Sequence, residues 1–147
     1  MKECGECTWC CFFCDIPEYD SPVNQYCRNC DVGHGCKIYE DRKGVCKDFE
    51  CFWKLEALIP DYLRPDKCGV MFEVPNNCKT FVGYVDPNNY ERWKEQRVQI
   101  LIQKIIDINH PVVIFQGIGK DNIVFTIPGM NMIDVKNDVF NAFRKMQ

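Results

Sequence analysis

Ten of the chain's twelve cysteines lie within residues 1–51, and five of them, Cys4, Cys7, Cys10, Cys11 and Cys14, crowd into eleven residues. A segment so rich in thiols and so poor in aliphatic side chains has little apolar surface to bury, so ligands or crosslinks must supply much of what holds it together. Disulfides do this in short secreted domains. This chain has 147 residues and is 46% hydrophobic, which is enough for an ordinary core. Adjacent Cys10-Cys11 and repeated two-residue spacings suit metal or iron–sulfur ligation better than disulfide bridges or buried unligated thiols.

On a helix turning about 100° per residue, the five thiols of residues 4–14 fall within about 120° of one another, and Trp9, Phe12 and Phe13 fall on the other side. The spacing therefore predicts a helix with a thiolate face and an aromatic face, ended by Asp15-Ile16-Pro17 because Pro17 disfavours helical geometry in the residue before it. A turn is the competing reading, since Cys-x2-Cys also forms zinc knuckles. Five thiols along about 15 Å of helix exceed what one tetrahedral ion uses, so more than one zinc ion, or a polynuclear cluster, is expected.

Residues 17–26, with two prolines, read as a loop returning the chain to the metal. Cys27-x2-Cys30 supplies a second thiol pair, and Asp31-Val32-Gly33-His34-Gly35 is a turn leading into Cys36. His34 is an available ligand, but with thiolates in excess it reads as a solvated loop histidine. Cys46 and Cys51 follow, interleaved with Phe49, Phe52 and Trp53. The candidate ligands are thus Cys4, Cys7, Cys10, Cys11, Cys14, Cys27, Cys30, Cys36, Cys46 and Cys51. Cys68 and Cys78, outside every short-spaced pair, read as small buried hydrophobes.

The succession Cys4-x2-Cys7-x2-Cys10-Cys11, Cys27-x2-Cys30, Cys36-x-Ile38-Tyr39-x2-Arg42 and Cys46-x2-Phe49-x-Cys51 resembles the zinc- or iron-chelating CxxCxxCC family, the YkgJ-type cysteine-cluster proteins. The likeness is densest over residues 4–53, and Arg64-Pro65-Asp66-Lys67 with Gly69-Val70 extends it towards longer members. It implies a bound metal or cluster held by Cys4, Cys7, Cys10, Cys11, Cys27, Cys30, Cys36, Cys46 and Cys51, with no general activity attached. Cys14, Cys68 and Cys78 are additional to the family pattern, and Arg42-Lys43 stands where relatives usually carry Arg-Pro. Arg42 has a physical role available in offsetting thiolate charge; a solvated surface arginine is the plain alternative.

Beyond residue 54 the pattern changes. Leu55 to Leu58 finishes a helical stretch and Pro60 to Lys67 is a loop. Residues 69–74 and 79–85 read as strands around Pro75-Asn76-Asn77. Asp86-Pro87 reads as a cap for a long helix from Asn88 to about Ile108. Residues 112–116 and 122–127 read as a second hairpin, and Asp134 to Met146 as a closing helix. Gly117-x-Gly119-Lys120 lacks the spacing and the following Ser or Thr of a phosphate loop. The expectation is an α+β fold: a cysteine-rich metal-binding module of short helices and loops over residues 1–54, then a ββαββα layer over residues 55–147, packed with it as one compact unit.

Residues 1–54 carry seven Lys/Arg against ten Asp/Glu, so no basic face argues for nucleic acid. The longest aliphatic and aromatic run, Val112 to Phe115, is far too short to cross a membrane, and no secretory leader is visible, so a soluble, cytoplasmic protein is expected. No Ser/His/Asp or paired-carboxylate constellation stands out, and whether the chain is an enzyme stays open. The leading reading is thiolate-ligated zinc, or iron, organising a surface for a protein partner. An iron–sulfur protein with redox or methyltransferase-related activity is the first alternative, because the flagellin lysine methylases carry a similar cluster. Metal-ion storage or delivery is the second.

Overall fold

The computed structural model describes residues 2–144, and the chain divides into two units, Met1–Lys67 and Cys68–Gln147. The first unit extends past residue 54 because the Lys2 ammonium donates to the carbonyls of Trp53, Glu56 and Ile59 at 3.0, 2.7 and 2.5 Å and lies 4.8 Å from the Trp53 ring centroid. The Trp53 indole in turn donates to the Pro60 carbonyl. Three carbonyls replacing water around one ammonium tie residues 53–60 to the start of the chain.

Helix is scarce in this unit. The helix expected over residues 4–14 is reduced to α1, Cys10–Phe13. Gly5 adopts φ +55 and the Cys7 amide donates to the Cys4 carbonyl, so Cys4 to Cys7 form a left-handed turn that no helix can run through. Trp9, Phe12 and Phe13 still pack as a group, with Phe13 5.5 Å from Trp9 and 5.0 Å from Phe12. The hairpin β1, Cys30–Asp31, and β2, Gly35–Cys36, pairs Cys30 with Cys36. Short helices α2, Gly44–Asp48, and α3, Phe52–Leu55, follow, and α4, Pro65–Cys68, spans the boundary. Much of the small core is itself thiol: Cys11, Ile16 and Cys27 are buried together, with Cys10, Cys14, Cys30 and Cys46 against them.

The second unit runs ββαββα. Its strands β3, Val70–Glu73, β4, Phe81–Val85, β5, Val112–Phe115, and β6, Ile123–Phe125, form one sheet in that order. The outer pairs are antiparallel hairpins and the central β4–β5 pair is parallel, as the crossover through α5, Gln96–Asp107, requires. Val82 and Val113 face Val135 and Val139 of α6, Met132–Arg144. Alternation sends Val112 and Ile114 to the opposite face, and α5 buries Val98, Leu101, Ile102 and Ile105. The unit is the expected α+β arrangement.

Two helix starts differ from expectation. Asp86 accepts from the Asn88 amide at 2.9 Å, which makes a local Asx turn instead of a cap. Residues 88–95 are turns and a 3-10 segment, and α5 begins only at Gln96. Trp93 therefore lies outside α5, and its indole donates to Gln116. Helix α6 begins two residues early because Asn131 Oδ1 accepts from the Ile133 and Asp134 amides while Asp134 accepts from the Asn131 amide, a reciprocal cap. Its expected end at Met146 lies outside the described residues.

One carboxylate fixes the approach to β4. Asp138 Oδ2 accepts from the Thr80 hydroxyl at 2.7 Å, the Lys79 and Thr80 amides at 3.0 Å each and the Cys78 thiol at 3.2 Å. Burial works against the charge, but these donors outweigh it and hold the carboxyl below its ordinary range. A depressed carboxyl contributes stability above its unfolded pKa and loses it as pH falls through the folded value. Asp138→Ala should cost about 1–3 kcal/mol at neutral pH by stranding the fully buried Thr80. In denaturant titrations that difference should shrink below about pH 4; a pH-independent difference would show that the charge plays no part.

Candidate metal centre

Each pair of thiols is carried on a short, backbone-fixed piece. Cys4 and Cys7 sit at the ends of the Gly5 turn. Cys10 and Cys11 open α1, where the Cys11 carbonyl accepts from the Cys27 amide at 3.0 Å and the Phe12 carbonyl from the Asn24 amide at 2.8 Å. Cys27 and Cys30 bracket a turn in which the Cys30 amide donates to the Cys27 carbonyl at 2.9 Å and the Asn29 amide points at Cys27 Sγ, 3.4 Å away. Cys36 lies opposite Cys30 across the hairpin, which turns residues six apart into neighbours.

Cys46 is placed by α2. Gly44 is at φ +51, and a Cβ there would stand 1.6 Å from Glu18 Oε1, the same oxygen that accepts the Val45 amide at 3.3 Å. Only glycine admits that carboxylate against the start of α2. Cys51 immediately precedes α3 and its carbonyl accepts from the Lys54 and Leu55 amides.

Cys10 is the thiol around which the others gather. A hydrogen bond with Cys11 holds it below the usual thiol range, with burial opposing and the Arg42 guanidinium assisting. The same bond, followed by burial, drives Cys11 far above the usual thiol range, and Cys11 is also hydrogen-bonded to Cys30. Charge on Cys10 acts on Cys4, Cys7, Cys30, Cys46 and Cys51 as well. Burial is the first cause in each of these five: it raises Cys4 and Cys30 and lifts Cys7 to about 12 and Cys46 and Cys51 to about 11. Most of these thiols therefore keep their protons at neutral pH, and a metal would have to displace them.

Two cations border the group. Arg42 donates through Nε to the Tyr39 carbonyl and through Nη1 to the Cys46 carbonyl, at 2.8 and 3.2 Å, and its guanidinium lies 3.8 Å from the Tyr39 ring centroid. It is not a freely solvated arginine. Lys54, only 7% exposed, pairs with Glu50 at 3.0 Å and donates to the Tyr39 hydroxyl at 3.3 Å. Its charge and that of Arg42 both favour a thiolate at Cys4. Tyr39 and Lys54 were not legible as site residues, although the spacing Tyr39-x2-Arg42 carried a hint of the stack. Thr8, buried at 3%, was also missed; its hydroxyl accepts the Gly33 amide and so pins the β1–β2 turn to α1. His34 is exposed, with Nδ1 3.1 Å from the Val32 carbonyl.

Two cavities open among the thiols. One, of about 10 Å³, is walled by Cys10, Cys11, Cys14 and Cys46 with Ile16 and Phe49. The other, of about 380 Å³, includes Cys4, Cys7 and Cys36 together with Cys10, Cys11 and Cys46. Among the described residues, no three Cys, His, Asp or Glu side chains stand ready to hold a metal ion. The donor chemistry nevertheless fits a thiophilic metal, because soft sulfur donors from several elements face common spaces beside two cations. Ligation would require S–H···S contacts such as Cys10–Cys11–Cys30 to be broken and the side chains re-aimed.

Cys68 and Cys78 belong to the second unit. Cys68 is fully buried and its thiol donates to the Val70 carbonyl, while Cys78 packs against the Val82–Val139 cluster and donates to Asp138. Replacing both by alanine should leave the metal content of the purified chain unchanged, as read by elemental analysis; loss in proportion to the thiols removed would make them ligands. Comparison with protein-family models, with curated proteins and with solved structures finds no match to this chain.

Proposed function

We propose that the first unit is a thiolate metal centre in which Cys4, Cys7, Cys10, Cys11, Cys14, Cys27, Cys30, Cys36, Cys46 and Cys51 bind more than one zinc ion and so organise a surface for a protein partner, in a cytoplasmic protein of the cysteine-cluster kind. The observation that carries this reading is the gathering of thiols from separate short elements: Cys10, Cys14, Cys30 and Cys46 pack against buried Cys11 and Cys27, and Cys4, Cys7 and Cys36 line one space with Cys10, Cys11 and Cys46. A core built so largely of sulfur gains little from hydrocarbon burial, and metal–thiolate bonds would supply the missing folding free energy. Bound zinc would contribute charge neutralisation and crosslinking. The chain's own residues would do the rest, with Arg42 and Lys54 offsetting negative charge.

No helix among the described residues is long and apolar enough to cross a membrane. An iron–sulfur centre is the competing reading, because the same sulfur donors hold clusters. Protein purified without oxygen separates the two. The zinc reading expects a colourless protein with several equivalents of zinc on elemental analysis. A brown protein with broad absorption near about 400 nm would replace zinc by an iron–sulfur cluster, and a protein devoid of both would remove the metal centre.

A further inference from the structure

Antiparallel strands alternate between residue pairs that exchange backbone bonds and pairs that do not, and in the second kind the side chains stand closer. The Lys37 amide donates to the Asn29 carbonyl at 2.9 Å. That bond joins the residues flanking the Cys30–Cys36 pair of the β1–β2 hairpin, so Cys30 and Cys36 occupy a position without backbone bonds of their own. Such a pair has its Cα atoms about 4.5 Å apart and both side chains on one face. A disulfide needs a Cα separation of about 4.4–6.8 Å, so the backbone of the hairpin already meets its first demand.

The hairpin is also held in place. The His34 amide donates to the Asp31 carbonyl at 2.9 Å, and the Gly33 amide donates to the Thr8 hydroxyl at 3.2 Å. Other thiol pairs lack this combination. Cys10 and Cys11 are adjacent, and a trans peptide keeps their Cα atoms about 3.8 Å apart, too close for an unstrained disulfide. Cys4 and Cys7 share a turn, but Cys4 hydrogen-bonds to Tyr39 and Cys7 to the backbone of Trp9 and Asp66. Cys11 and Cys27 are buried. Cys30 and Cys36 are half-buried, and Cys36 lines the larger space beside the exposed His34.

We infer that Cys30 and Cys36 are a reversible dithiol–disulfide pair, oxidised by a small-molecule disulfide of the glutathione class. A thiolate at one of them attacks the S–S bond of the reagent, which forms a mixed disulfide and expels one reduced thiol. The second cysteine then attacks the mixed disulfide and expels the other. The chain gives up two protons and two electrons, which leave with the two reagent thiols. In the reduced chain the Cys30 thiol rests on Cys11 and Thr8, and closing the bond across the hairpin gives up those contacts. Resting on the thiolate-centre reading above, oxidation also withdraws two ligands at once and so releases metal.

The test exposes the full chain, purified without oxygen, to rising oxidised glutathione over a fixed amount of reduced glutathione. Free thiols are then alkylated and the disulfides mapped by peptide mass spectrometry, with zinc measured in the same samples. The first internal disulfide is expected at Cys30–Cys36 and is reversed by excess reduced glutathione. Cys30→Ser and Cys36→Ser should each lose it, and Cys68→Ala should keep it. A first disulfide at any other pair, Cys11–Cys30 included, overturns the inference, as does the absence of any internal disulfide; the map of the unmodified chain decides this even where a variant fails to fold. Loss of zinc in step with the disulfide supports metal release, and zinc retained after the bond has closed overturns it. A chain without metal at the outset overturns the thiolate-centre reading itself and leaves the disulfide to be judged by the map.

Discussion

The packing of Cys11, Ile16 and Cys27, with Cys10, Cys14, Cys30 and Cys46 against them, is the arrangement on which the first unit turns. Adjacent residues at the start of α1 send their thiols into one hydrogen-bonded pair, and Cys11 carries the chain of contacts on to Cys30. Around that pair stand protonated thiols whose own ionisation is opposed first by burial. A buried group of this kind is costly to charge one member at a time. On the proposed reading, a divalent cation entering among them would remove several protons at once and supply the compensating charge.

The two units rely on different physics. In residues 68–144, sheet faces covered by α5 and α6 bury aliphatic side chains, and Asp138 collects four donors where the chain enters β4. In residues 2–67 the backbone is held by turns, by the Thr8 and Glu18 side chains accepting amides and by Lys2 capturing three carbonyls. These bonds set where the thiols sit but bury little hydrocarbon. The thiolate metal centre proposed for this unit would provide what its core lacks.

The sheet was legible because its signals are local and periodic. Short apolar runs with Pro75-Asn76-Asn77 and the Gly117–Gly119 stretch between them marked both hairpins. The candidate thiols were legible by spacing. The helix over residues 4–14 was misread because thiol periodicity matched a helix while Gly5, in a left-handed turn, vetoed it. The delayed start of α5 escaped because Asp86 before proline suits an Asx turn as well as a cap. Lys2 and Thr8 act through contacts with residues distant in sequence, as does Lys54 on Tyr39, and no short spacing gives notice of these.

Amide hydrogen exchange, measured on the intact chain before and after metal is stripped by chelation, bears most directly on the claim that metal–thiolate bonds hold the first unit together. Binding energies of ~10–16 kcal/mol, typical of zinc modules, would make protection there depend on the ions. The account predicts that protection collapses for the amides of α1, the β1–β2 hairpin and α2, while β3 to β6 and α5 keep theirs. Unchanged protection across residues 10–48 after complete metal removal would contradict it.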